Sequence, residues 1–255
     1  MQIDLNADMG ESFGAYTIGA DEQVMPSITS ANVACGFHGG DPAVMRRTVR
    51  LAREAGVSVG AHPGFQDLAG FGRREMRVSP HDAEDMVLYQ IGALAAIARS
   101  EGVSLRHVKP HGALYNIAVR DAALAEAIAR AVRAFDPALI LFALPGSELM
   151  CAGDACGLAV AAEGFADRSY EPDGSLTPRS RKGAVIHDTS AVVARAVRMA
   201  TEGKVTAADG SEILLRVQTI CTHGDTPGAQ ELTRALRAGL ERAGVLIAPV
   251  SGAAR

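Results

Sequence analysis

Short apolar segments alternate with amphipathic helical segments along all 255 residues, and this alternation limits the fold more than any other feature. Each unit has the same order: an apolar segment of strand length, a polar corner, a stretch of helical period and a glycine. Strands are predicted at 3–6, 28–34, 57–61, 105–109, 139–144 and 214–221, with weaker candidates at 158–162 and 184–187. Helices are predicted at 42–55, 80–101, 121–134, 189–202 and 228–243. This pattern favours a parallel sheet with right-handed crossovers.

The number of strand candidates favours a closed sheet over an open one. Seven or eight parallel strands in a chain of this length predict one α/β domain over 1–255, a single (β/α) barrel. The dinucleotide-binding motif of open sheets is missing, because Gly70-Phe-Gly72-Arg-Arg-Glu75 lacks a third glycine and a preceding strand. A Walker A motif is absent as well. The polar stretch 163–182 is predicted to be a long functional loop, since loops of this length often carry function.

Composition and charge exclude several classes of partner. Aromatic residues make up only 4% of the chain, tryptophan is absent, and the net charge is −4 without any basic tract. These features argue against a nucleic-acid partner. No apolar run approaches the roughly 18–20 residues of a membrane span, and the first residues lack the pattern of a secretory signal. We therefore expect a cytoplasmic protein without a membrane partner, whose four cysteines, none in a Cys-x-x-Cys pair, are free thiols.

Acids, imidazoles and cations collect at the predicted strand ends and in the long loop. Because the C-terminal ends of barrel strands converge on one mouth, residues distant in sequence are expected to become neighbours there. The candidates are Asn6, Asp8, Glu11, Asn32, His38, His62, Lys109, His111, Arg168, Tyr170, His223 and Asp225. Some have simpler interpretations: Asp41 and Asp225 precede helices and are also typical N-caps.

Two kinds of chemistry fit these candidates, and their spacing does not decide between them. Carboxylates with histidines can perform general acid–base hydrolysis, with one group activating water and another protonating a leaving nitrogen. Alternatively, Asp8, His38 and His62 are candidate ligands of a divalent cation, since imidazole and carboxylate suit zinc or manganese. Lys109 ends an apolar strand before a proline, and it or an arginine can bind a carboxylate or phosphate.

Longer motifs place the chain close to a known family. They begin at Asp4 (Asp-Leu-Asn-Ala-Asp-Met-Gly-Glu), Ala31 (Ala-Asn-Val-Ala-Cys-Gly-Phe-His-Gly-Gly-Asp-Pro), Gly60 (Gly-Ala-His-Pro-Gly-Phe-Gln-Asp), Val108 (Val-Lys-Pro-His-Gly-Ala-Leu-Tyr-Asn), Glu163 (Glu-Gly-Phe-Ala-Asp-Arg-Ser-Tyr) and Cys221 (Cys-Thr-His-Gly-Asp). In this order, over nearly the whole chain, they resemble the LamB/YcsF family. The resemblance implies a barrel similar to that of the glycoside hydrolases and deacetylases.

The resemblance also implies an activity. It is that of a component of an ATP-dependent 5-oxoprolinase, which hydrolyses the lactam of 5-oxo-L-proline to L-glutamate while ATP is cleaved to ADP and phosphate. ATP is then a co-substrate, expected with Mg, and two further subunits, usually called B and C, are partners. The catalytic candidates are Asp8, His38, His62, Lys109 and His111. The substrate-binding candidates are Asn6, Glu11, Asn32, Arg168, Tyr170, His223 and Asp225.

Two alternatives stay open at this point. The chain could be a metal-dependent, deacetylase-like hydrolase, for which a bound divalent cation and activity without ATP would be diagnostic. It could also be a non-catalytic subunit that binds 5-oxoproline while a partner performs the chemistry.

Overall fold

Seven parallel strands close into a barrel in the computed structural model, which describes residues 1–223 and 228–251 and, for His223, the backbone only. The strands of the barrel are β1 (Gln2–Met9), β2 (Ser30–Ala34), β3 (Ser58–His62), β4 (His107–Val108), β5 (Ile140–Ala143), β6 (Ala159–Phe165) and β9 (Thr219–His223). Neighbouring strands pair in this order, and pairing of β1 with β9 closes the ring. The predicted barrel of parallel strands is therefore confirmed, with seven strands.

Three short strands lie outside the ring. Strands β7 (Lys204–Thr206) and β8 (Glu212–Leu214) form an antiparallel hairpin, and β10 (Leu246–Ile247) pairs with the first residues of β1. The predicted strand over 214–221 is interrupted at 215–218, so that its first residue belongs to β8 and its last three belong to β9. An Asp209-Gly210 turn lies between β7 and β8, with Gly210 at a φ of 88°. Asp-Gly between two short strands is a hairpin signal that could have predicted β7 and β8.

Helices surround the barrel and cover its outer face. They are α1 (Asp21–Val24), α2 (Pro42–Ala55), α3 (Pro80–Ser100), α4 (Gly112–Ala118), α5 (Ala122–Phe135), α6 (Glu148–Ala155), α7 (Thr189–Glu202) and α8 (Ala229–Arg242), with a 3-10 helix at Met25–Ser27. The buried faces of α2 and α3 carry an apolar stripe of helical period, which removes apolar area from water. None of the helices described is both long and apolar enough to cross a membrane.

Capping residues explain why the long helices were predictable. The Asp41 side chain accepts hydrogen bonds from the backbone of Ala43 and Val44, so Asp41 is the N-cap of α2. Ser79 caps α3 in the same way. Gly56 ends α2 in the left-handed conformation, with a φ of 68° that glycine adopts without steric cost.

Other boundaries differ from the prediction. Strand β1 extends to Met9, so Asp8 lies within the strand, where the sequence predicts a strand that ends at Asn6. Strand β6 extends to Phe165 and includes the first three residues of the predicted loop 163–182. The weak candidate 184–187 is not a strand, and Val185 forms only an isolated bridge with Arg168. The short helices α4 and α6 were not predicted.

The interior of the barrel is polar along one line, which is unusual for a core. Asp4, Asn6 and Asp8 alternate along β1 and point to the same side, as side chains of a strand do at a period of two. Asp4 accepts hydrogen bonds from hydroxyl groups of Thr29, Ser30 and Thr219. Burial raises the pKa of Asp4, although these hydrogen bonds oppose the shift. This line of polar groups ends at the C-terminal mouth of the barrel.

Candidate functional site

A cavity of about 600 Å³ opens at the C-terminal ends of the barrel strands. Residues at or just beyond the ends of β1, β3, β4 and β6 form its floor: Asp8, His62, Lys109 and Phe165. Segments from the loops and α4 form its walls. This volume is within the range of about 300–1,000 Å³ found for small-molecule sites.

Lys109 is the cation of the cavity floor and is only 3% exposed. Its Nζ lies 2.7 Å from Asp8 Oδ1, 3.1 Å from Glu163 Oε1 and 2.8 Å from Cys221 Sγ. Burial alone would lower the pKa of Lys109, but Asp8, Cys221 and Glu163 together hold it well above its usual value. Lys109 is therefore a protonated ammonium group, and its three N–H bonds are directed at these three partners.

A layer of buried amides lies beneath the floor and orients Asp8. Asn32 Nδ2 donates hydrogen bonds to Asp8 Oδ1 at 2.9 Å and to Asn6 Oδ1 at 2.7 Å. Asn6 in turn donates to Glu163 Oε1 at 3.1 Å. His107 Nε2 lies 2.8 Å from Asn32 Oδ1, and burial together with Lys109 lowers the pKa of His107 to about 3. Neutral His107 thus donates to Asn32 and fixes the amide that holds Asp8.

Three imidazoles and a carboxylate meet beside Asp8. One ligand-type atom from each of Glu11, His38, His62 and His111 lies within 4.8 Å of the others, and all four residues are buried. Glu11 Oε1 is 3.4 Å from both His38 Nε2 and His111 Nδ1. The rings of His38 and His111 stack in parallel with centroids 3.7 Å apart. Burial and the neighbouring histidines lower the pKa of both rings well below the usual value, so both are neutral.

The hydrogen-bond partners of His62 and His111 determine which ring nitrogens carry lone pairs. His62 Nδ1 lies 2.6 Å from the carbonyl of Lys109, and His111 Nε2 lies 2.8 Å from the carbonyl of Phe71. Since a carbonyl can only accept, each of these nitrogens is the N–H of its ring. The other two nitrogens, His62 Nε2 and His111 Nδ1, then face each other at 2.9 Å with their lone pairs. Such a pair requires a cation between or beside the two atoms, either a proton or a metal ion.

The donor set suits a metal ion. Imidazoles that donate their second N–H to a backbone carbonyl are the usual arrangement around a metal, because that bond fixes the tautomer and the ring. Both ring nitrogens of His38 are buried and accept or donate no hydrogen bond within the described part of the chain. Three imidazoles and one carboxylate fit zinc or manganese. The cluster differs from the predicted set of Asp8, His38 and His62: Glu11 and His111 join the two histidines, and Asp8 Oδ2 lies 3.4 Å from His62 Nε2.

Close backbone approach holds the histidines in place. A Cβ on Gly64 would lie 2.7 Å from His38 Nδ1, and one on Gly72 would lie 2.8 Å from atoms of both His38 and His111. Phe71 has a φ of 55°, the only positive value for a non-glycine residue among those described. That conformation directs the Phe71 carbonyl at His111, an example of backbone strain at a site where geometry matters.

The remaining predicted site residues lie in three different environments. Asn6 and Asn32 are fully buried below the floor, with their amide groups bonded to neighbours. Arg168 lines the cavity, whereas Tyr170 is fully buried and its hydroxyl accepts a hydrogen bond from the Phe165 backbone at 2.7 Å. The His223 side chain and Asp225 lie outside the described residues.

Two residues of the site were not predicted. Glu163 was placed at the start of a loop, yet it is a completely buried strand residue that contacts Lys109. An acid directly after the apolar run 158–162 was the available signal. His107 is two residues before Lys109, and this period of two along a strand predicts the same face for both.

The fold and the site define a class of protein. A barrel of this architecture is shared with the family 4 carbohydrate esterase from Streptomyces lividans, at a TM-score of 0.51 over 99% of this chain and 94% of that chain. The two sequences are 13% identical, so the likeness shows the fold alone. The chain is thus an α/β-barrel protein that shares the fold of this esterase, and its mouth carries acids and histidines.

The chain belongs to the LamB/YcsF family, whose model matches residues 3–255. It is 61% identical over 246 residues to a protein from Symbiobacterium thermophilum that is named as the A subunit of 5-oxoprolinase, covering 96% of this chain and 94% of that protein. A Bacillus subtilis protein of the same name is 52% identical over 250 residues, covering 98% and 97%. The crystal structure of the lactam utilization protein from Thermus thermophilus superposes with a TM-score of 0.94 at 52% identity, covering 98% of this chain and 100% of that chain.

Proposed function

We propose that this chain is the hydrolytic component of an ATP-dependent 5-oxoprolinase, which converts 5-oxo-L-proline to L-glutamate while ATP is cleaved to ADP and phosphate. The observation that carries the proposal is the cavity floor, where a carboxylate held by a buried ammonium group lies beside a histidine cluster. The names of the relatives from Symbiobacterium thermophilum and Bacillus subtilis support the choice of substrate.

The chemistry explains why ATP is needed. A five-membered lactam is a poor electrophile, and transfer of the γ-phosphoryl group to its amide oxygen releases ADP and activates the ring carbon. One water then adds to that carbon, and the C–N bond breaks as the nitrogen takes up a proton. A second water releases phosphate from the resulting acyl phosphate, which leaves L-glutamate. The site must therefore activate water, protonate nitrogen and bind anionic oxygens.

Each floor residue has a role in this sequence. Asp8 lines the cavity and is the general base for water, since Lys109 and Asn32 fix its other oxygen. Lys109 forms an ion pair with Asp8 and supplies positive charge to the cavity floor. A proton held between His62 Nε2 and His111 Nδ1, which lie 2.9 Å apart, is the proton transferred to the leaving nitrogen.

Glu11, His38, His62 and His111 would hold a divalent cation at this site. Such an ion supplies Lewis-acid polarisation of a substrate oxygen. In that case His62 and His111 would be ligands rather than proton donors, and Asp8 would still accept the proton of water.

The proposal extends to partners and location. We infer that two further subunits, B and C, complete the enzyme, and that ATP binds with Mg at their interface with this chain or on them. The cytoplasm, where ATP is available, is the proposed location. We further propose that 1–255 acts as one barrel domain and that the loop within 163–182, which includes Arg168 of the cavity wall, contributes to substrate binding.

One alternative is favoured by a specific observation. The histidine cluster also suits a metal-dependent, deacetylase-like hydrolase that works without ATP. The second alternative is a non-catalytic subunit that binds 5-oxoproline. In that case substitution of Asp8 would not change the turnover rate at saturating substrate.

The test uses this chain assembled with its two partner subunits. We expect Asp8→Asn to lower 5-oxoproline-dependent ADP release and L-glutamate formation by about 10²- to 10⁴-fold, the range for losing a general base. Asp85→Asn is the matched control, since Asp85 is exposed on α3 and should leave both rates unchanged. Near-wild-type turnover by Asp8→Asn would exclude the proposed role, and deacetylation without ATP would support the alternative.

Metal content is a separate readout of the same site. Elemental analysis of the purified chain should give close to one zinc or manganese per chain, and Glu11→Gln combined with His111→Ala should remove it. An unchanged metal content in this double variant would contradict the assignment of ligands.

A further inference from the structure

Charge is unevenly distributed along the cavity. The strand ends contribute Asp8, Glu11 and Lys109 to its lining, and the surrounding segments contribute four arginines and one acid: Arg73, Glu75, Arg120, Arg168 and Arg179. The outer wall is defined here by Arg73, Arg168, Thr177 and Arg179. The cavity has a volume of about 600 Å³. A small lactam bound near the floor would fill only part of it, so a second part of the ligand could contact this wall.

Lys109 is not available for that second part. Its ammonium group has three N–H bonds, and four acceptors already lie within 3.4 Å of Nζ: Asp8, Glu163, Cys221 and Asn6. An anion in the cavity therefore needs another cation.

Two hydrogen bonds fix the orientation of the Arg168 guanidinium and leave its Nη1 nitrogen for a further partner. Its Nε donates to the Ala184 carbonyl at 3.1 Å, and Nη2 donates to the Thr177 carbonyl at 2.7 Å. Its Nη1 makes no hydrogen bond to any residue the structure describes. The hydroxyl of Thr177, a residue only 4% exposed, also has no partner in the described part of the chain. Thr177 thus contributes a buried hydroxyl without a partner to the cavity wall, beside a guanidinium that has one nitrogen left for a ligand.

Two other arginines, Arg73 and Arg179, line the same cavity. The pKa of Arg168 is lowered to about 10, first by burial and next by the nearby charge of Arg179, with a smaller contribution from Arg73. Arg73 lines the same cavity and also helps to lower the pKa of His111, after burial and His62. Its guanidinium rests 4.9 Å above the Phe71 ring, which restricts its orientation.

We propose that Arg73, Arg168, Thr177 and Arg179 form a subsite for a phosphoryl group, so that the cavity accepts a phosphorylated small molecule rather than a neutral amide. Only the identity of the phosphorylated molecule, the activated lactam, rests on the proposed function. A phosphoryl group on a nucleotide shares the same chemistry.

The donors fit a phosphoryl group better than a carboxylate. One guanidinium saturates a carboxylate through a bidentate pair, whereas a phosphoryl dianion offers three terminal oxygens to several cations and a hydroxyl. A nucleobase finds little support here: of the described lining residues, the aromatic ones besides histidines are Tyr115 and Phe165, each only 4% exposed. Phosphate on a small organic group is therefore the ligand class that matches the wall.

The test measures binding of inorganic phosphate to the isolated full chain by calorimetry, after removal of metal with a chelator. We expect millimolar or tighter binding, weakened about 10- to 100-fold in Arg179→Gln, because hydrogen bonds to charged groups contribute that much. Thr177→Val should weaken it by a smaller factor. Arg181→Gln is the matched control, since Arg181 lies in the same loop, pairs with Glu171 at 3.2 Å and does not line the cavity.

Binding of ATP and of tripolyphosphate, measured in the same way, distinguishes a phosphorylated substrate from a nucleotide. ATP that binds no tighter than tripolyphosphate would assign the subsite to a phosphorylated substrate, and much tighter ATP binding would assign it to a nucleotide. The subsite is refuted if phosphate does not bind the chelated chain, if acetate binds equally well, or if Arg179→Gln and Arg181→Gln behave alike. These outcomes do not depend on turnover, so they are distinguishable from failure of the proposed function.

Discussion

Lys109→Met tests the electrostatic account of the cavity floor. Methionine nearly preserves the volume of lysine but removes the ammonium group that lies between Asp8 and Glu163. Glu163 is completely buried, so water cannot replace the ammonium group beside it. Breaking a buried ion pair by removing one partner costs about 3–5 kcal/mol of unfolding free energy.

A second argument gives a similar magnitude. One carboxylate can escape the repulsion by taking up a proton, which at pH 7 costs about 4 kcal/mol for a group that ordinarily titrates near pH 4.3. For a chain of this size, a loss of about 4 kcal/mol lowers Tm by roughly 8–16 °C. Because the proton binds more easily in acid, the deficit of Lys109→Met should shrink from pH 8 to pH 5.

The assay is urea and thermal unfolding of the isolated chain, followed by circular dichroism. Adding Glu163→Gln to Lys109→Met removes one unpaired charge and should restore part of the lost stability. Lys204→Met is the control, because Lys204 lies 3.6 Å from Glu212 at an exposed position where a pair contributes at most about 1 kcal/mol. A Lys109→Met protein within about 1 kcal/mol of wild type, or a deficit that Glu163→Gln leaves unchanged, would refute the reasoning.

Two further predictions concern the free energy of unfolding. Gly60→Ala should lower it by about 1–3 kcal/mol, because the new Cβ would lie 2.2 Å from the His107 ring. Gly92→Ala in α3 should raise it by about 0.5–1 kcal/mol, because no atom lies within 4 Å of the new Cβ. Equal melting temperatures for the two variants would contradict this prediction. Hydrogen bonds from Arg50 and Arg46 hold the pKa of Glu101 at about 2, below its unfolded value, so the stability contributed by Glu101 is complete above pH 4.5 and is lost as the pH falls toward 2. The melting temperatures of Glu101→Gln and wild type should accordingly differ at pH 7 and converge near pH 2, and a difference that is constant with pH would argue against these pairs.

Local sequence was sufficient where the structure is governed by local interactions. The bounds of α2 were predicted to the residue, because Asp41, Pro42 and Gly56 determine its ends through hydrogen bonds and dihedral preferences within a few residues. The alternation of apolar runs with helices was sufficient for the class of fold. The acids and histidines at strand ends indicated one mouth, because parallel strands all end on the same side, and Asp8, His62, Lys109 and His111 do line its cavity. Asn6, Asn32 and Tyr170, predicted for the same site, are instead fully buried.

Tertiary structure decided which of those residues touch. Closure between β1 and β9, and the register that pairs Asp8 with Asn32, place Asp8 beside Lys109, a residue 101 positions away in the chain. Glu11, His38, His62 and His111 meet because they lie at or beyond the ends of four neighbouring strands, β1 to β4. A shift of one residue in register would turn Asp8 and His62, which lie within strands, to the other face of the sheet. The sequence alone determined the groups available to the site, and strand order, register and the curvature of the barrel determined which of these groups touch.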